Sequence, residues 1–306
     1  MRVAVLGPGG VGGLVAGALD HAGSADAIVV ARAETTAVIS AQGLRVSSVS
    51  LGEFVARPRA VERLEESVDA LVVATKASGL EPALERIAVE PPLVLPLLNG
   101  LDHIAVLRER FSAGSVLAGS IRVEADRPSP GVVVHTSPFL LVQMASSNPQ
   151  AAPGMQDLAR ALSDAGIPAR VLDSEPQVMW SKLVRLNALA CTTSAYDKLL
   201  GEIRSTPALR ADLEGAIEEA CRVGRAEGAH DVDPATAISE LDRAHATLGS
   251  SMQRDIAAGR VPELDAIPGS VLRAAARHQL RCPTIERLVA MIAERARVAL
   301  PVVPRP

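Results

Sequence analysis

Val3-Ala4-Val5-Leu6, near the start of the chain, runs directly into Gly7-Pro8-Gly9-Gly10-Val11-Gly12. The apolar run predicts a short, buried parallel strand. Apolar residues then recur at helical spacing, as Leu14, Val15, Ala18 and Leu19, so a helix is expected after the glycines. A strand, a glycine-rich turn and a helix in this order form the context in which G-x-G-x-x-G indicates dinucleotide binding. The chain is therefore expected to begin with a cofactor site.

The glycines of this turn each suit one task in binding a pyrophosphate. Gly7 allows the tight turn, Gly9 lets the backbone approach the phosphates, and Gly12 lets the helix pack close to the strand. The helix N-terminus adds free N–H groups and the positive end of the helix dipole. A secretory signal peptide is the alternative, but six glycines and a proline by residue 17 favour the turn. We expect the whole loop to line the cofactor: Gly7, Pro8, Gly9, Gly10, Val11 and Gly12.

The composition limits the class of protein. With 306 residues the chain is long enough for about two domains. Hydrophobic residues make up 48% of the chain, yet no uncharged apolar run reaches the roughly 18 residues that indicate a membrane span. A formal net charge of −4 gives no electrostatic reason to expect nucleic acid or a membrane as a partner. The three cysteines lack metal-ligand spacing, so we expect a cytoplasmic protein with neither disulfides nor a bound metal.

A second predicted strand, residues 27–31, ends beside a cation. Arg32 lies twenty residues after Gly12, where an NAD site usually carries an acidic residue that holds the ribose 2′-hydroxyl. An arginine at this position accommodates a 2′-phosphate instead. Glu34 competes with this interpretation but falls past the strand end, and an ordinary surface arginine is the other alternative. The position favours NADP(H) as the cofactor.

Two further predicted strands end in polar residues. The run 70–74 precedes Thr75-Lys76, and the run 93–98 precedes Asn99-Gly100. Ligands of open α/β sheets bind outside the carboxyl ends of the strands. Each residue alone would be an ordinary loop residue, but two such placements on one sheet edge favour function. We therefore expect Lys76 and Asn99 to meet the cofactor or an anionic substrate.

The rest of the first half completes an α/β domain. Further strands are predicted at 43–46, 54–56, 116–119 and 169–172, with helices at 101–111 and 155–165. Residues 131–135 and 139–142 follow a Pro-Ser-Pro break and predict a strand pair at the end of the sheet, in which His135 suits a structural role. We place the boundary of this Rossmann-type, dinucleotide-binding domain after residue 173.

The second half, residues 174–306, predicts an all-α C-terminal domain. Apolar residues recur at helical spacing over 177–196, 206–228, 234–258, 264–280 and 284–298. Lys182 shares a helical face with Val178, Leu186, Leu189 and Thr193. A lysine on such a stripe either extends its ammonium to water or is held in a pocket. In a pocket, lost solvation makes the ammonium easier to deprotonate, which suits proton transfer near neutral pH.

Two acidic residues follow Pro262 near the predicted start of another helix. Pro262 suits the first helical turn, and Glu263 and Asp265 then lie near the positive end of the helix dipole. Capping of this helix explains both acids without a catalytic role. Composition alone does not choose between them.

Together these motifs resemble the ketopantoate reductase family (2-dehydropantoate 2-reductases). The combination is specific, although the glycine loop alone is common to many folds. The separation of Ser251 from Glu263 also resembles that of the family. The matching pieces occur in family order and cover almost the whole chain: the loop at 7–12, Arg32, Thr75-Lys76, Leu98-Asn99-Gly100, Trp180-Ser181-Lys182-Leu183, Ser250-Ser251-Met252, Asp255, Glu263 and Asp265.

The resemblance implies an NADPH-dependent reduction of a 2-oxo acid to a 2-hydroxy acid. Lys182 would protonate the developing alkoxide, and Glu263 would lie near the lysine and the cofactor. Asn99 would contact both cofactor and substrate, and Ser251 would bind the substrate. Lys76 would line the cofactor side of the site.

This sequence departs from the family at the groups that recognise the substrate. The family places asparagines one and two turns after the catalytic lysine, where this chain has Leu186 and Ala190. Leu200 and Pro268 replace two further asparagines, and Asn187 points about 100° away from Leu186 on an ideal helix. We therefore expect a substrate site that is more apolar than that of the family.

Three alternatives stay open from the sequence. Another 2-oxo acid or β-hydroxyacid reductase of the same plan would prefer bulkier apolar substrates. A non-catalytic NADP-binding sensor would need neither Lys182 nor Glu263. A cofactor-bound interaction module would use the helical half to form a homodimer, which the sequence does not distinguish from a catalytic use.

Overall fold

The computed structural model describes residues Met1–Pro304, which form two compact units. The first unit comprises Met1–Leu98 and His103–Val178. The second comprises Asn99–Asp102 together with the described chain from Met179 onward. The segment Asn99–Asp102 thus belongs to the second unit, although the chain on either side of it belongs to the first.

The first unit is an α/β structure. Its helices are α1 (Gly10–Ala22), α2 (Ala33–Gln42), α3 (Leu80–Leu84), α4 (His103–Arg110) and α5 (Ala152–Asp164). Short 3₁₀ turns lie at Ala77–Gly79 and Pro149–Ala151. Its strands are β1 (Arg2–Leu6), β2 (Asp26–Val30), β3 (Leu44–Ser48), β4 (Gly52–Ala56), β5 (Arg59–Val61), β6 (Ala70–Val73), β7 (Val94–Pro96), β8 (Ala118–Arg122), β9 (Ala125–Ser129), β10 (Val132–His135), β11 (Leu141–Ala145) and β12 (Ala169–Val171).

Five parallel strands form the central sheet, in the order β5-β2-β1-β6-β7. Alternate residues of β1 face opposite sides of the sheet: Val3 and Val5 belong to one buried core, and Ala4 and Leu6 to another. Because both faces are covered, the strand reads as a continuous apolar run. The chain extends the sheet first on one side of β1 and then on the other, so the strand order reverses beside β1. Such a reversal is where open α/β sheets bind ligands.

The predicted pairing of residues 131–135 with 139–142 is wrong. Strand β10 lies in a four-stranded sheet, β4-β3-β10-β9, whereas β11 lies in a three-stranded sheet, β12-β11-β8. Between them Ser137 Oγ donates a hydrogen bond to the Phe139 carbonyl at 2.8 Å, and Pro138 has no N–H to pair. The chain turns here without forming a hairpin: β10 pairs with β3 and with the preceding strand β9, whereas β11 pairs with β8 and β12.

His135, at the end of β10, is buried and fully hydrogen-bonded. Its Nδ1 lies 2.7 Å from Ser48 Oγ, and its Nε2 lies 3.1 Å from Ser137 Oγ. The Ser137 hydroxyl already donates to a carbonyl, so it accepts from Nε2–H, and Ser48 donates to Nδ1. Burial lowers the pKa of this imidazole, which is therefore held neutral. The role of His135 is structural.

The second unit is built from helices, and no strand occurs between Met179 and Pro304. Helix α6 passes from the first unit into the second at Met179. Trp180 is 1% exposed on this helix and packs against Gly224, where an added Cβ would lie 3.1 Å from the indole. The helices are α6 (Glu175–Tyr196), α7 (Leu200–Ser205), α8 (Pro207–Ala226), α9 (Pro234–Arg243), α10 (Ser251–Ala257), α11 (Ser270–Arg277) and α12 (Pro283–Ala296), with a π-helical turn at Asp265–Gly269.

Two helical predictions need correction. The segment 234–258 is not one helix, because α9 ends at Arg243 and α10 begins at Ser251. The Ser250 hydroxyl accepts the Gln253 N–H at 3.0 Å and so caps a new helix. The helix expected to open at Pro262 begins only at Asp265, as the π-helical turn. From Met1 to Pro304 no helix is both long and apolar enough to cross a membrane.

Candidate active site

The glycine loop at the carboxyl end of β1 is packed so closely that side chains are excluded. Gly7 has a φ of +89°, which favours glycine. A Cβ on Gly12 would lie 2.2 Å from the carbonyl oxygen of Gly7, and one on Gly10 would lie 2.3 Å from the carbonyl oxygen of Ala125. Pro8 is buried within the loop and Val11 is half-buried. These contacts hold the loop against the start of α1.

Gly9 differs from its neighbours because open space lies in front of it. Apart from the flanking Pro8 and Gly10, no described residue comes within 4 Å of a Cβ built on Gly9, which is the N-cap residue of α1. The first turn of α1 contains no acidic side chain. The unpaired N–H groups of this turn and the positive end of the helix dipole therefore meet an open, uncrowded surface. This arrangement fits the pyrophosphate of a dinucleotide.

Arg32 and Lys76 follow the two strands that flank β1. Arg32 is exposed and forms the N-cap of α2 after β2, and Lys76 is exposed and precedes the 3₁₀ turn after β6. Since β1, β2 and β6 are parallel neighbours, both cations lie at the same sheet edge as the glycine loop. Glu34 is also exposed, in the first turn of α2.

Thr75, which is not among the predicted site residues, also lies beside the glycine loop. Its Oγ1 is buried and has no hydrogen-bond partner among the described residues. Its Cγ2 lies 2.8 Å from the position of a Cβ on Gly7. A buried hydroxyl without a partner next to the glycine turn fits a site that is completed by a polar ligand.

Three predicted residues meet in the second unit. Lys182 Nζ donates a hydrogen bond to Asn99 Oδ1 at 2.8 Å, and Asn99 Nδ2 donates to Glu263 Oε2 at 3.1 Å. All three side chains are half-buried. The side-chain amide of Asn99 thus links a cation to an anion, and this hydrogen-bonded group is called the Lys–Asn–Glu group below.

The turn that carries Glu263 owes its shape to Pro268. A proline has no N–H, so Pro268 cannot close the usual helical bond to the Leu264 carbonyl. Gly269 donates to that carbonyl instead, at 3.1 Å, which makes the turn π-helical. Ile267 N–H donates to the carbonyl of Glu263 at 3.0 Å. Pro268 therefore shapes the backbone that presents Glu263.

Asn99 is held by a close backbone contact with the same turn. Gly100 has a φ of +85°, and a Cβ there would lie 1.9 Å from the carbonyl oxygen of Ala266. Only glycine permits this approach. The Asn-Gly pair that ends the predicted strand thus places the amide beside the turn after Glu263.

The predicted substrate-binding serine lies at the start of α10. Ser251 is exposed as the first residue of that helix. Its neighbour Ser250 is buried and accepts hydrogen bonds from Gln253 N–H at 3.0 Å and Thr193 Oγ1 at 2.8 Å. Ser250 is therefore the structural member of the pair, and Ser251 is the accessible one.

The positions where asparagines were expected are apolar and mostly buried. Leu186 is half-buried, whereas Ala190 and Leu200 have no exposed surface and Pro268 is buried within its turn. Asn187 is fully buried, its Oδ1 accepts from Cys191 Sγ at 3.6 Å, and its Nδ2 has no partner in the described structure. Asn187 therefore does not replace the missing asparagines on the accessible side of α6.

One cation lies close to Lys182 in sequence. Arg185, one turn further along α6, pairs with Glu240 of α9 at 2.8 Å, and its side chain is 17% exposed. The accessible side of α6 therefore carries a second, already paired, positive charge.

The cysteines do not form a reactive centre. All three are buried free thiols. Burial raises the pKa of Cys221 to about 11 and that of Cys282 to about 12, and it raises the pKa of Cys191 as well. Protonated thiols are poor nucleophiles and poor metal ligands. Across residues 1–304 no cluster of His, Cys, Asp and Glu side chains is grouped to hold a metal ion.

The two units define a class of protein: a parallel α/β unit whose glycine loop suits a dinucleotide, followed by a helical unit that carries a Lys–Asn–Glu group. The family described as ketopantoate reductase PanE/ApbA matches residues 3–145, and its C-terminal part matches residues 176–296. The chain therefore belongs to the ketopantoate reductase family, a family of oxidoreductases. This confirms the resemblance drawn from the motifs.

Individual relatives are similar over nearly their whole length. A 2-dehydropantoate 2-reductase of Halobacterium salinarum is 29% identical over 304 residues, covering 95% of this chain and 98% of its own. The crystal structure of a 2-dehydropantoate 2-reductase from Geobacter metallireducens is 23% identical with a TM-score of 0.87, covering 96% of this chain and 99% of that one. A D-mandelate dehydrogenase structure with NADH and anilino(oxo)acetate is 21% identical with a TM-score of 0.87, covering 97% and 99%. These structures share the fold described above.

Proposed function

We propose that this chain is an NADPH-dependent reductase that converts a 2-oxo acid into a 2-hydroxy acid. The Lys–Asn–Glu group carries the proposal, because it offers a proton donor that is oriented by an amide and balanced by a carboxylate. Family membership supports the reaction class, since relatives such as the Halobacterium salinarum protein are named 2-dehydropantoate 2-reductase.

The first unit would hold the cofactor. The open surface at Gly9 and the N-terminus of α1 would bind the pyrophosphate, and the exposed Arg32 would meet a 2′-phosphate. Lys76 lies at the same sheet edge and would add a second positive charge. When bound, the reduced nicotinamide supplies a hydride to the ketone carbon.

Lys182 would supply the proton that the developing alkoxide needs. Its ammonium is directed by Asn99 Oδ1, and the orientation of that amide is fixed because its Nδ2 donates to Glu263. One positive and one negative group are thereby joined through a neutral amide. Oriented proton donors of this kind contribute about 10²–10⁴-fold to the rates of enzymes.

The substrate side of the proposal rests on fewer polar groups. Ser251, exposed at the start of α10, is our candidate for contacting the substrate. Leu186 presents an apolar surface one turn after Lys182. We therefore propose that 2-oxo acids with plain branched side chains are accepted nearly as well as the hydroxylated ketopantoate.

A non-catalytic NADP-binding sensor is the second candidate function. A sensor needs the glycine loop and Arg32, but it has no use for a lysine held by an amide and a carboxylate. The Lys–Asn–Glu group therefore favours the enzyme. A homodimer formed by the helical unit stays a prediction and separates neither function from the other.

The proposal is tested by following NADPH oxidation with the purified protein and a panel of 2-oxo acids. The panel contains ketopantoate, 2-oxoisovalerate and phenylglyoxylate, the last because a protein of this fold is a D-mandelate dehydrogenase. We expect oxidation that depends on the 2-oxo acid and is lost in Lys182→Met. Tight NADPH binding without oxidation by any member of the panel would contradict the enzyme and favour the sensor.

A further inference from the structure

The segment Asn99–Asp102 is a short excursion of the chain into the second unit. Its first residue supplies the amide between Lys182 and Glu263. Because the segment is only four residues long, its own contacts within the second unit determine where that amide lies. One contact is the approach of Gly100 to the carbonyl of Ala266 described above.

The other end of the segment is held by one arginine. Arg273 of α11 contacts Asp102 Oδ2 through Nη2 at 2.6 Å and through Nε at 3.2 Å. The same guanidinium donates from Nη1 to Asp265 Oδ1 at 2.8 Å and from Nη2 to the Asp265 carbonyl oxygen at 2.8 Å. Arg273 thus joins the Asn99–Asp102 segment to the turn that follows Glu263.

The geometry of these bonds requires a guanidinium. Arg273 is 18% exposed at its side chain, and its Nη1 also donates to the Val302 carbonyl at 3.1 Å. Arginine presents five N–H donors in a rigid plane, whereas lysine presents a compact charge. A lysine at this position would keep the positive charge but would not reach both aspartates with directed hydrogen bonds.

We propose that Arg273 is a positioning residue for the reduction, which keeps Asn99 between Lys182 and Glu263 by tying its segment to the Asp265–Gly269 turn. The inference rests on the proposed function, because it concerns the same Lys–Asn–Glu group. Arg273 is not placed among the reacting groups and acts through Asn99, whose segment it holds. Misplacing catalytic groups by about 1 Å costs on the order of 10²-fold in rate.

The kinetic test compares Arg273→Met with Arg277→Met. Arg277 lies one turn further along α11 and pairs with Glu227 at 2.9 Å, outside the Asn99–Asp102 segment. We expect Arg273→Met to lower kcat by about ten- to a hundredfold, and Arg277→Met to change it less than twofold. Arg273→Lys should fall between the wild type and Arg273→Met. Adding Asp102→Ala to Arg273→Met should cause little further loss, because both changes remove the same tether.

A spectroscopic test reads the position of Asn99 without turnover. The chain has only three asparagines, Asn99, Asn148 and Asn187, so protein labelled with ¹⁵N-asparagine gives three side-chain amide signals. The Asn99 signal should move in Arg273→Met and in Asp102→Ala but stay in place in Arg277→Met. The signal of the buried Asn187 reports in each variant whether the second unit is folded, and that of Asn148 does so for the first unit.

The outcomes separate this inference from the proposed function. If the wild type reduces no 2-oxo acid, the proposed function fails, and the Asn99 signal still decides whether Arg273 positions that amide. If the wild type is active but Arg273→Met matches Arg277→Met in kcat and in the Asn99 signal, the positioning role is wrong. Should Arg273→Met not fold, Arg273→Lys and Asp102→Ala give the same two readouts.

Discussion

Lys182 is the residue on which the proposed reaction depends most directly. Replacing it with methionine keeps the length and apolar stem of the side chain but removes the proton. We expect Lys182→Met to lower turnover by about 10²–10⁴-fold, while NADPH binding and folding are retained. Lys198→Met is the matched control, because Lys198 is an exposed lysine paired with Glu202 at 2.8 Å. Near-normal turnover of Lys182→Met would move the proton donor elsewhere, with Lys76 the next candidate.

Arg32 carries the choice of cofactor. It is exposed at the end of β2, where it can meet a 2′-phosphate but gains nothing from a 2′-hydroxyl. A charge-assisted hydrogen bond contributes about 1.5–3 kcal/mol. Arg32→Ala should therefore weaken NADPH binding by about ten- to a hundredfold. NADH binding should hardly change. Calorimetric titration of both cofactors measures this, with Arg170→Ala, another exposed arginine of the first unit, as the control. Equal affinity of the wild type for the two cofactors would contradict the assignment to NADP(H).

At the residue scale, the sequence alone predicts identities better than proximities. Lys182 stands out by its place on an apolar stripe, but Asn99 lies 83 residues before it and Glu263 lies 164 residues after Asn99. No spacing rule connects residues so far apart, and only the family resemblance linked them. The same limit applies to Arg273, which no sequence motif indicates as a site residue. Its partners Asp102 and Asp265 come together only when the Asn99–Asp102 segment joins the helical unit.

A substitution in the glycine loop tests cofactor binding without disturbing the fold. Gly9 adopts a φ of −73°, which other residues tolerate, and a Cβ there would meet no described residue within 4 Å apart from its two chain neighbours. Gly9→Ala should therefore leave the unfolding temperature unchanged but weaken NADPH binding at least tenfold, because the methyl group occupies the space proposed for the phosphates. Gly79→Ala is the control, since Gly79 is equally uncrowded and has a φ of −107°. Unchanged NADPH affinity in Gly9→Ala would place the pyrophosphate elsewhere.

Strand β10 should make the first unit sensitive to acid. The pKa of His135 is lowered in the folded protein by burial, so below about pH 6.5 the unfolded chain binds a proton that the folded chain does not. The contribution of His135 to the free energy of unfolding is therefore fully present above that pH. It falls as the pH drops, by at most about 1.4 kcal/mol per pH unit. His135→Gln should reduce this slope, whatever its effect at neutral pH.

Urea unfolding of the wild type and of His135→Gln between pH 7 and pH 5 measures the slope. His230→Gln, a change at an exposed histidine, is the control and should follow the wild type. Parallel losses of stability in all three proteins would show that His135 is not the responsible group.

At the element scale, strands and helices were predicted correctly where the burial of their residues determines the spacing of apolar side chains. Strand β1 is apolar from Val3 to Leu6 because these residues lie between two cores, so this run suffices to identify the strand. The predicted pairing of β10 with β11 was wrong because β10 pairs with the preceding strand β9, whose polar and mostly exposed residues give no apolar pattern. The π-helical turn depends on one missing N–H at Pro268, combined with the bond from Gly269 to Leu264. Such combinations follow from the folded backbone and not from the periodicity of the sequence.

At the scale of the whole molecule, the family fold is kept, and apolar residues lie at the four positions where the resemblance predicts asparagines: Leu186, Ala190, Leu200 and Pro268. Ala190 and Leu200 are part of the buried core of the second unit, together with Trp180. Sites that hydrogen-bond a substrate hydroxyl discriminate by about 10⁴–10⁵-fold, because their own polar groups are otherwise left unpaired. An apolar site lacks this penalty and discriminates by only about 1–3 kcal/mol per methylene. We therefore propose that the protein reduces 2-oxo acids with a relaxed preference for their side chains.

The most direct test of this account follows the transferred hydrogen itself. The purified protein is incubated with NADPH deuterated at both positions of the nicotinamide C4 and with equal amounts of ketopantoate and 2-oxoisovalerate. Mass spectrometry of the products should find one deuterium at C2 of both 2-hydroxy acids, with formation rates that differ by less than about 200-fold. Absence of deuterium from both acids, with NADPH bound and the protein folded, would contradict the account.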